Sequence, residues 1–276
     1  MPDDLTLTHP LDDALRLEDL GGGRFRGATS PAYWNMAGPF GGITGALMLK
    51  AVLAHPERRG RPVALTVNFC GAVAEGEFEI LVSLMRDGKS TQHWNVEMRQ
   101  EGKGVATTAS AVTGAERDTW SHRAAGPPDM PPADQVPIYP TAGRMAWFGQ
   151  YEMRFVTGEP RMGSEPYPEP HSGLTRLWVR DTPERPLDYP SLAAISDSFV
   201  VRLLLVRGDF VPVATVSLST YFLADEAALR RQAGRRLIGT ADVRAFQHGF
   251  HDQSAELWSD DGELLAVSHQ VVWFKQ

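Results

Sequence analysis

The chain has 276 residues, 42% of them hydrophobic and 22% charged, which suits a globular protein with a real core and admits one large domain or two small fused ones. Its net charge of -7 argues against nucleic acid or an anionic membrane as a general partner. One cysteine, Cys70, excludes an internal disulfide.

The opening Met1-Pro2-Asp3-Asp4 places acids where a secretory signal needs bases, and no apolar run follows. No stretch reaches the length of a membrane span, so a cytoplasmic protein is expected. Gly21-Gly22-Gly23 has no recognisable strand before it and no P-loop lysine after it, and reads as a flexible turn. From Gly41-Gly42 through Leu53 the residues are small or apolar with no polar face, which predicts a buried helix. Arg58-Arg59-Gly60-Arg61 follows it, a local basic run that is either a solvated face or a contact for phosphate. Val63–Cys70 alternates and is rich in β-branched residues. Cys70, in the apolar run Val67-Asn68-Phe69-Cys70, is expected to be a small buried hydrophobe rather than a nucleophile. Further strands are predicted over Gly76–Arg86, ending at the turn Asp87-Gly88, over Ser90–Gln100, ending at Glu101-Gly102, and over Val105–Thr113. The Pro-rich stretch from Trp120 to Pro140 has a linker composition.

The second half repeats this grammar. An apolar helix over Leu192–Val206 carries Asp197 and Arg202. Strands follow over Val211–Leu223, Leu237–Gln247 and Gln253–Trp258, then a turn at Asp260-Asp261-Gly262 and a strand over Leu264–Phe274. Arg230-Arg231 and Arg235-Arg236 are a second local basic run. His248 and His251 stand three apart at a turn with no third ligand nearby, so no zinc site is expected. Leu65-Thr66-Val67 falls on Ala214-Thr215-Val216, and Glu101-Gly102 falls on Asp261-Gly262. An internal repeat of one apolar helix followed by an antiparallel meander predicts two α+β units, each a sheet wrapped around its helix, lying edge to edge. The expected units are residues 1–120 and 146–276, joined by a linker over 121–145.

Several segments resemble the type II acyl-CoA thioesterases, which have a double hotdog fold: two antiparallel sheets, each wrapped around a central apolar helix. Pro39-Phe40-Gly41-Gly42 is similar to the family's glycine pair at the start of the first helix. Ala194-Ile195-Ser196-Asp197 resembles the helix segment with the catalytic aspartate. Ala214-Thr215-Val216-Ser217-Leu218-Ser219 resembles the strand with the catalytic threonine, and the run from Asp261 to Gln270 resembles the final hairpin with the catalytic glutamine. The resemblance spans about residues 20 to 276 and implies catalytic roles for Asp197, Thr215 and Gln270. The chain departs from the pattern twice. Ser217-Leu218 stands where the family has Asp-His, and Ile43 follows the glycine pair where the family has Gln.

The residues themselves admit two readings at each position. No Gly-x-Ser-x-Gly elbow is present, so direct attack by water is the simple route to thioester hydrolysis. Asp197, among apolar neighbours, is either the carboxylate that orients this water or a structural cap. Thr215 is either a site hydroxyl or a plain strand former. Gln270 interrupts an apolar strand and points either at water or at a site. Strand alternation sets Thr215 on one face with Val213, Ser217 and Ser219, and Gln270 with Ser268 and Val272. Gly41 and Gly42, expected to bind substrate, either offer backbone N–H groups to an oxyanion or let helix and sheet pack closely. Hydrolysis of acyl-CoA is the first functional expectation and a non-catalytic acyl-thioester binding protein the alternative. A hotdog dehydratase or hydratase ranks last, for want of a suitably paired histidine. No cofactor and no metal are expected, the partner is the acyl-CoA substrate, and a homo-oligomer is open.

Overall fold

A computed structural model of the protein describes residues 8–161, 172–208 and 211–275. The first half contains α1 (Pro10–Ala14), β1 (Glu18–Gly21), β2 (Arg24–Ala28), α2 (Gly41–Ala54), β3 (Arg61–Phe69), β4 (Glu77–Asp87), β5 (Thr91–Gln100) and β6 (Gly104–Gly114). The second contains β7 (Tyr151–Thr157), β8 (Thr175–Asp181), α3 (Tyr189–Ile195), α4 (Arg202–Arg207), β9 (Val213–Phe222), α5 (Glu226–Gln232), β10 (Leu237–Asp242), β11 (Phe246–Gln247), β12 (Phe250–Trp258) and β13 (Leu264–Phe274). All strand pairs are antiparallel, and the sheet runs β1-β2-β4-β5-β6-β3-β9-β13-β12-β10-β8-β7. Counted outward from the β3–β9 seam, both halves have the same order: the strand after the helix, the last strand, the middle pair, then the opening hairpin. The two sheets of the expected double hotdog are therefore joined into one, with α2 and α3 packed on each other beneath it.

The four strands expected in the first half form within two residues of their expected ends. The opening hairpin β1–β2 was not legible. A strand does precede Gly21-Gly22-Gly23, whose φ angles of +80°, +62° and +76° turn the chain where side chains would be strained. The second helix is interrupted, contrary to expectation. Asp188 caps its start, accepting from the Ser191 N–H at 2.8 Å. Its end is closed by short bonds from the Asp197 and Ser198 N–H groups to Ala194 and Ile195. The Ser196 hydroxyl meets the Ala193 carbonyl at 2.7 Å and the Thr220 hydroxyl at 2.9 Å, and Ser268 donates to the Ser196 carbonyl at 3.1 Å. Short polar side chains thus compete for the groups that would continue the helix, and a new helix starts only at Arg202.

The strand expected over Leu237–Gln247 is also broken, after Asp242. The Asp252 carboxylate takes the N–H groups of Arg244 and Ala245, at 3.0 and 2.9 Å, in place of a ladder partner. Cys70 is exposed rather than buried, because β3 ends one residue earlier. Within the Pro-rich stretch Val136 and Tyr139 are buried, and the Trp178 indole donates to the Pro131 carbonyl at 3.0 Å. No helix of the described residues is long and apolar enough to cross a membrane.

Candidate active site

Asp197 lies just past the carboxyl end of α3 and faces the amino end of α2. It caps no helix start, because α4 begins five residues later. Its carboxylate accepts hydrogen bonds from the Gly42 N–H and the Gln270 side chain. Gln270, on β13, in turn accepts from the Thr215 hydroxyl of β9 at 3.1 Å. Three elements thus bring Asp197, Gln270 and Thr215 into one continuous hydrogen-bonded line. Burial pushes the Asp197 carboxyl up to about 7, against the two hydrogen bonds, which favour the ionised form.

The glycines do two jobs. A Cβ on Gly41 would stand 2.6 Å from Oδ2 of Asp197, so only glycine leaves the carboxylate its place. A Cβ on Gly42 would stand 2.5 Å from the Ala194 carbonyl, so this residue sets the spacing of α2 and α3. The Gly42 N–H is already committed to the carboxylate, whereas Gly41 lines the adjoining pocket.

Strand alternation alone misplaces one neighbour set. β9 carries a register shift, where Val271 pairs with Ser217 but Val272 pairs with Thr215. This bulge reverses the parity, so Thr215 shares the inward face with Leu218, Thr220 and Phe222, and Ser217 and Ser219 do not join it. The Ser219 hydroxyl instead meets Thr66 across the seam at 2.9 Å. On β13 the alternation holds, with Ser268, Gln270 and Val272 all buried.

The line of three opens on a pocket of about 130 Å³. Its walls are aromatic and aliphatic, among them Phe40, Trp147, Phe148, Phe199 and Leu204. Phe40 stacks on Trp147 with ring centroids 4.4 Å apart and planes at 7°, and Trp147 on Phe148 at 4.0 Å. Tyr139 closes another side, its hydroxyl fixed on the Pro160 carbonyl at 2.8 Å. Sequence reasoning missed this wall. Tyr139 near the end of the Pro-rich stretch and the Trp147-Phe148 pair after it were its only signal.

The basic runs do not reach this site. Arg59 pairs with Asp87, Arg230 with Glu226, Arg231 with Glu263, Arg235 with Asp260 and Arg236 with Glu152. Arg58 and Arg61 are bound to backbone carbonyls. No group of three or more histidine, cysteine or acidic side chains among the described residues is placed to hold a metal, and His251 bonds the Asp252 carbonyl at 2.9 Å.

Comparison with known proteins bears on the whole chain. Residues 30–114 match the acyl-CoA thioesterase N-terminal domain, and residues 122–274 match the acyl-CoA thioesterase C-terminal domain. A conserved protein of unknown function with a hot dog fold from Alicyclobacillus acidocaldarius is 42% identical, with a TM-score of 0.92 over 98% of this chain and 99% of that one. An acyl-CoA thioesterase II from Mycobacterium marinum shares the fold at 22% identity, with a TM-score of 0.77 over 96% of this chain and 98% of that one. No curated protein matches. With both domain models matched in order and the double hotdog fold in place, the chain belongs to the acyl-CoA thioesterase family.

Proposed function

We propose that the protein hydrolyses acyl-CoA thioesters in the cytoplasm to a free carboxylic acid and CoA, with Asp197, Thr215 and Gln270 orienting the attacking water. The observation that carries this is the convergence of a buried carboxylate, an amide and a hydroxyl at the mouth of an apolar pocket. Asp197 accepts a proton from water as the water oxygen attacks the thioester carbon. A base with its pKa near neutrality is half ionised there and suited to the task. The tetrahedral intermediate then expels the thiolate, which takes the proton. The amino end of α2, with Gly41 against the pocket, favours negative charge on the reacting carbonyl oxygen as well as on the carboxylate. The apolar walls hold the acyl group and keep other water away.

The alternative, binding without turnover, has one observation in its favour. Leu218 stands directly across from Gln270 and is buried, so β9 bonds Gln270 through the Thr215 hydroxyl and not through the residue opposite it. Thiol release from a panel of acyl-CoA substrates, measured for the native chain and for Asp197→Asn, separates the readings. Hydrolysis by the native chain that is lost in the variant supports the proposal. Tight binding with no release of CoA by either would leave the binding protein.

A further inference from the structure

Gln270 has a second neighbour in the sheet. On β12 it pairs directly with Gln253, and directly opposed residues of an antiparallel pair put their side chains on the same face. Gln253 is buried beside it. The Oε1 of Gln253 accepts from Nε of Arg202 at 3.0 Å. Its Nε2 is buried and has no hydrogen-bond partner among the described residues. An unpaired amide donor inside a protein is costly, so a role for it is expected.

Arg202 fixes which way Gln253 points. A guanidinium only donates, so the oxygen of Gln253 must turn toward it and the nitrogen away. Arg202 is itself held in place. It is fully buried, and it also donates to the Val200 and Gly173 carbonyls and to the Thr175 hydroxyl at 2.6 Å. Burial lowers its pKa to about 9, which leaves it cationic at neutral pH.

The ionised Asp197 carboxylate only accepts and itself draws the Gln270 nitrogen, but the protonated acid also donates, and Thr215 cannot then fix which end of Gln270 faces it. The two ends of a carboxamide have the same shape, and a threonine hydroxyl can donate to the oxygen or accept from the nitrogen. The Nε2 of Gln253 can only donate. We infer that Gln253, aimed by Arg202, is a positioning residue that holds the oxygen of Gln270 on its own side through one water, and so commits the Gln270 nitrogen to Asp197. The hydrogen bonds then run in one direction, from Arg202 through Gln253 and Gln270 to the carboxylate. Leu218, on the other flank of Gln270, cannot serve in this way. This inference rests on the hydrolytic reading of Asp197 and Gln270.

Two substitutions at Gln253 test it, because a positioning role and a merely structural one order them oppositely. Gln253→Glu keeps an acceptor for Arg202 but has no N–H, and its carboxylate would draw the Gln270 nitrogen away from Asp197. Gln253→Met removes both hydrogen bonds but leaves Gln270 free to keep its orientation part of the time. Loss of a hydrogen bond that orients a ligating side chain costs about 10- to 100-fold at metal sites, and the same scale is expected for a bond that orients Gln270. The expectation is about 10-fold in kcat for Gln253→Met and about 100-fold for Gln253→Glu, with KM nearly unchanged. In both variants the acid limb of the kcat/KM profile moves to higher pH, since Asp197 loses a hydrogen bond that favours its ionised form. If Gln253→Glu is as active as the native chain, or more active than Gln253→Met, Gln253 serves only as a partner for Arg202 and the inference is overturned. Unmoved pH profiles in both variants would also overturn it. A fully active Gln270→Ala variant would remove the hydrolytic reading itself, which separates the two failures.

Discussion

The ordinary carboxyl value for aspartate is 3.8, and burial carries Asp197 to about 7. Between those values the folded chain keeps a proton that the unfolded chain has released, so stability falls as pH rises through that window. A tenfold change in acidity corresponds to about 1.4 kcal/mol, which makes the whole effect a few kcal/mol. Asp197→Asn removes the ionisation and keeps the shape. Its melting temperature should exceed that of the native chain at pH 8 and match it near pH 4, as thermal melts at the two values will show. The same substitution should lower kcat by about 100-fold or more, the usual contribution of a positioned general base, and abolish a rising limb of kcat/KM centred near pH 7. Gly41→Ala tests the space beside the carboxylate. The added methyl would meet Oδ2 at 2.6 Å, and a displacement of about 1 Å in a site can cost about 100-fold, so kcat should fall to that extent while the circular dichroism spectrum is kept. Asp197 was legible because a carboxylate among Leu192, Ala194, Ile195 and Phe199 needs a reason to be there. The surroundings of Thr215 were not, because one extra residue in a strand leaves no mark on a pattern of alternating side chains.

Strands announced themselves better than helices did. β4 and β5 are long and end at the turns Asp87-Gly88 and Glu101-Gly102, and β13 starts just after Asp261-Gly262. The break between α3 and α4 was hidden, because an apolar run looks the same whether the backbone stays helical or leaves the helix to present a side chain. The aromatic wall was hidden for another reason: Trp147 and Phe148 lie in a short turn whose packing depends on Phe40, more than a hundred residues away. The crossing of α2 and α3 makes a prediction. An added Cβ at Gly42 would stand 2.5 Å from the Ala194 carbonyl, a backbone atom that cannot turn aside. Gly42→Ala should therefore destabilise the chain by about 1–3 kcal/mol, the usual range for overpacking, as denaturant titration will measure. The pocket wall makes another. A cavity of about 150 Å³ lined by apolar side chains holds benzene, and this pocket has about 130 Å³. Short-chain or single-ring acyl-CoA substrates should give the highest kcat/KM and palmitoyl-CoA a much lower one. A rate that rises steadily with chain length would contradict this.

At the scale of the molecule, the repeated element order was legible, and it placed the strands after each helix correctly. It also placed the units edge to edge, but it could not show which edges meet, since β3 and β9 pair through Ala64–Asn68 and Ser217–Tyr221 with no signal beyond their β-branched content. A sheet continuous through that seam and a core shared by both halves predict one cooperative unfolding transition, with coincident curves from tryptophan fluorescence and circular dichroism. The crossing of the helices has a further consequence for stoichiometry. Glycine amides come from α2 and the carboxylate from the end of α3, so the site takes unlike parts from two like units. Two identical units related by a twofold axis would make such a site twice. In the fused chain, the offset that lays Thr66 on Thr215 brings Met48, an uncharged and fully buried residue, to the place of Asp197. The first half thus offers no carboxylate at the matching position. A non-hydrolysable acyl-CoA analogue titrated calorimetrically should therefore saturate at one molecule per chain, half the number that the twofold architecture would otherwise provide.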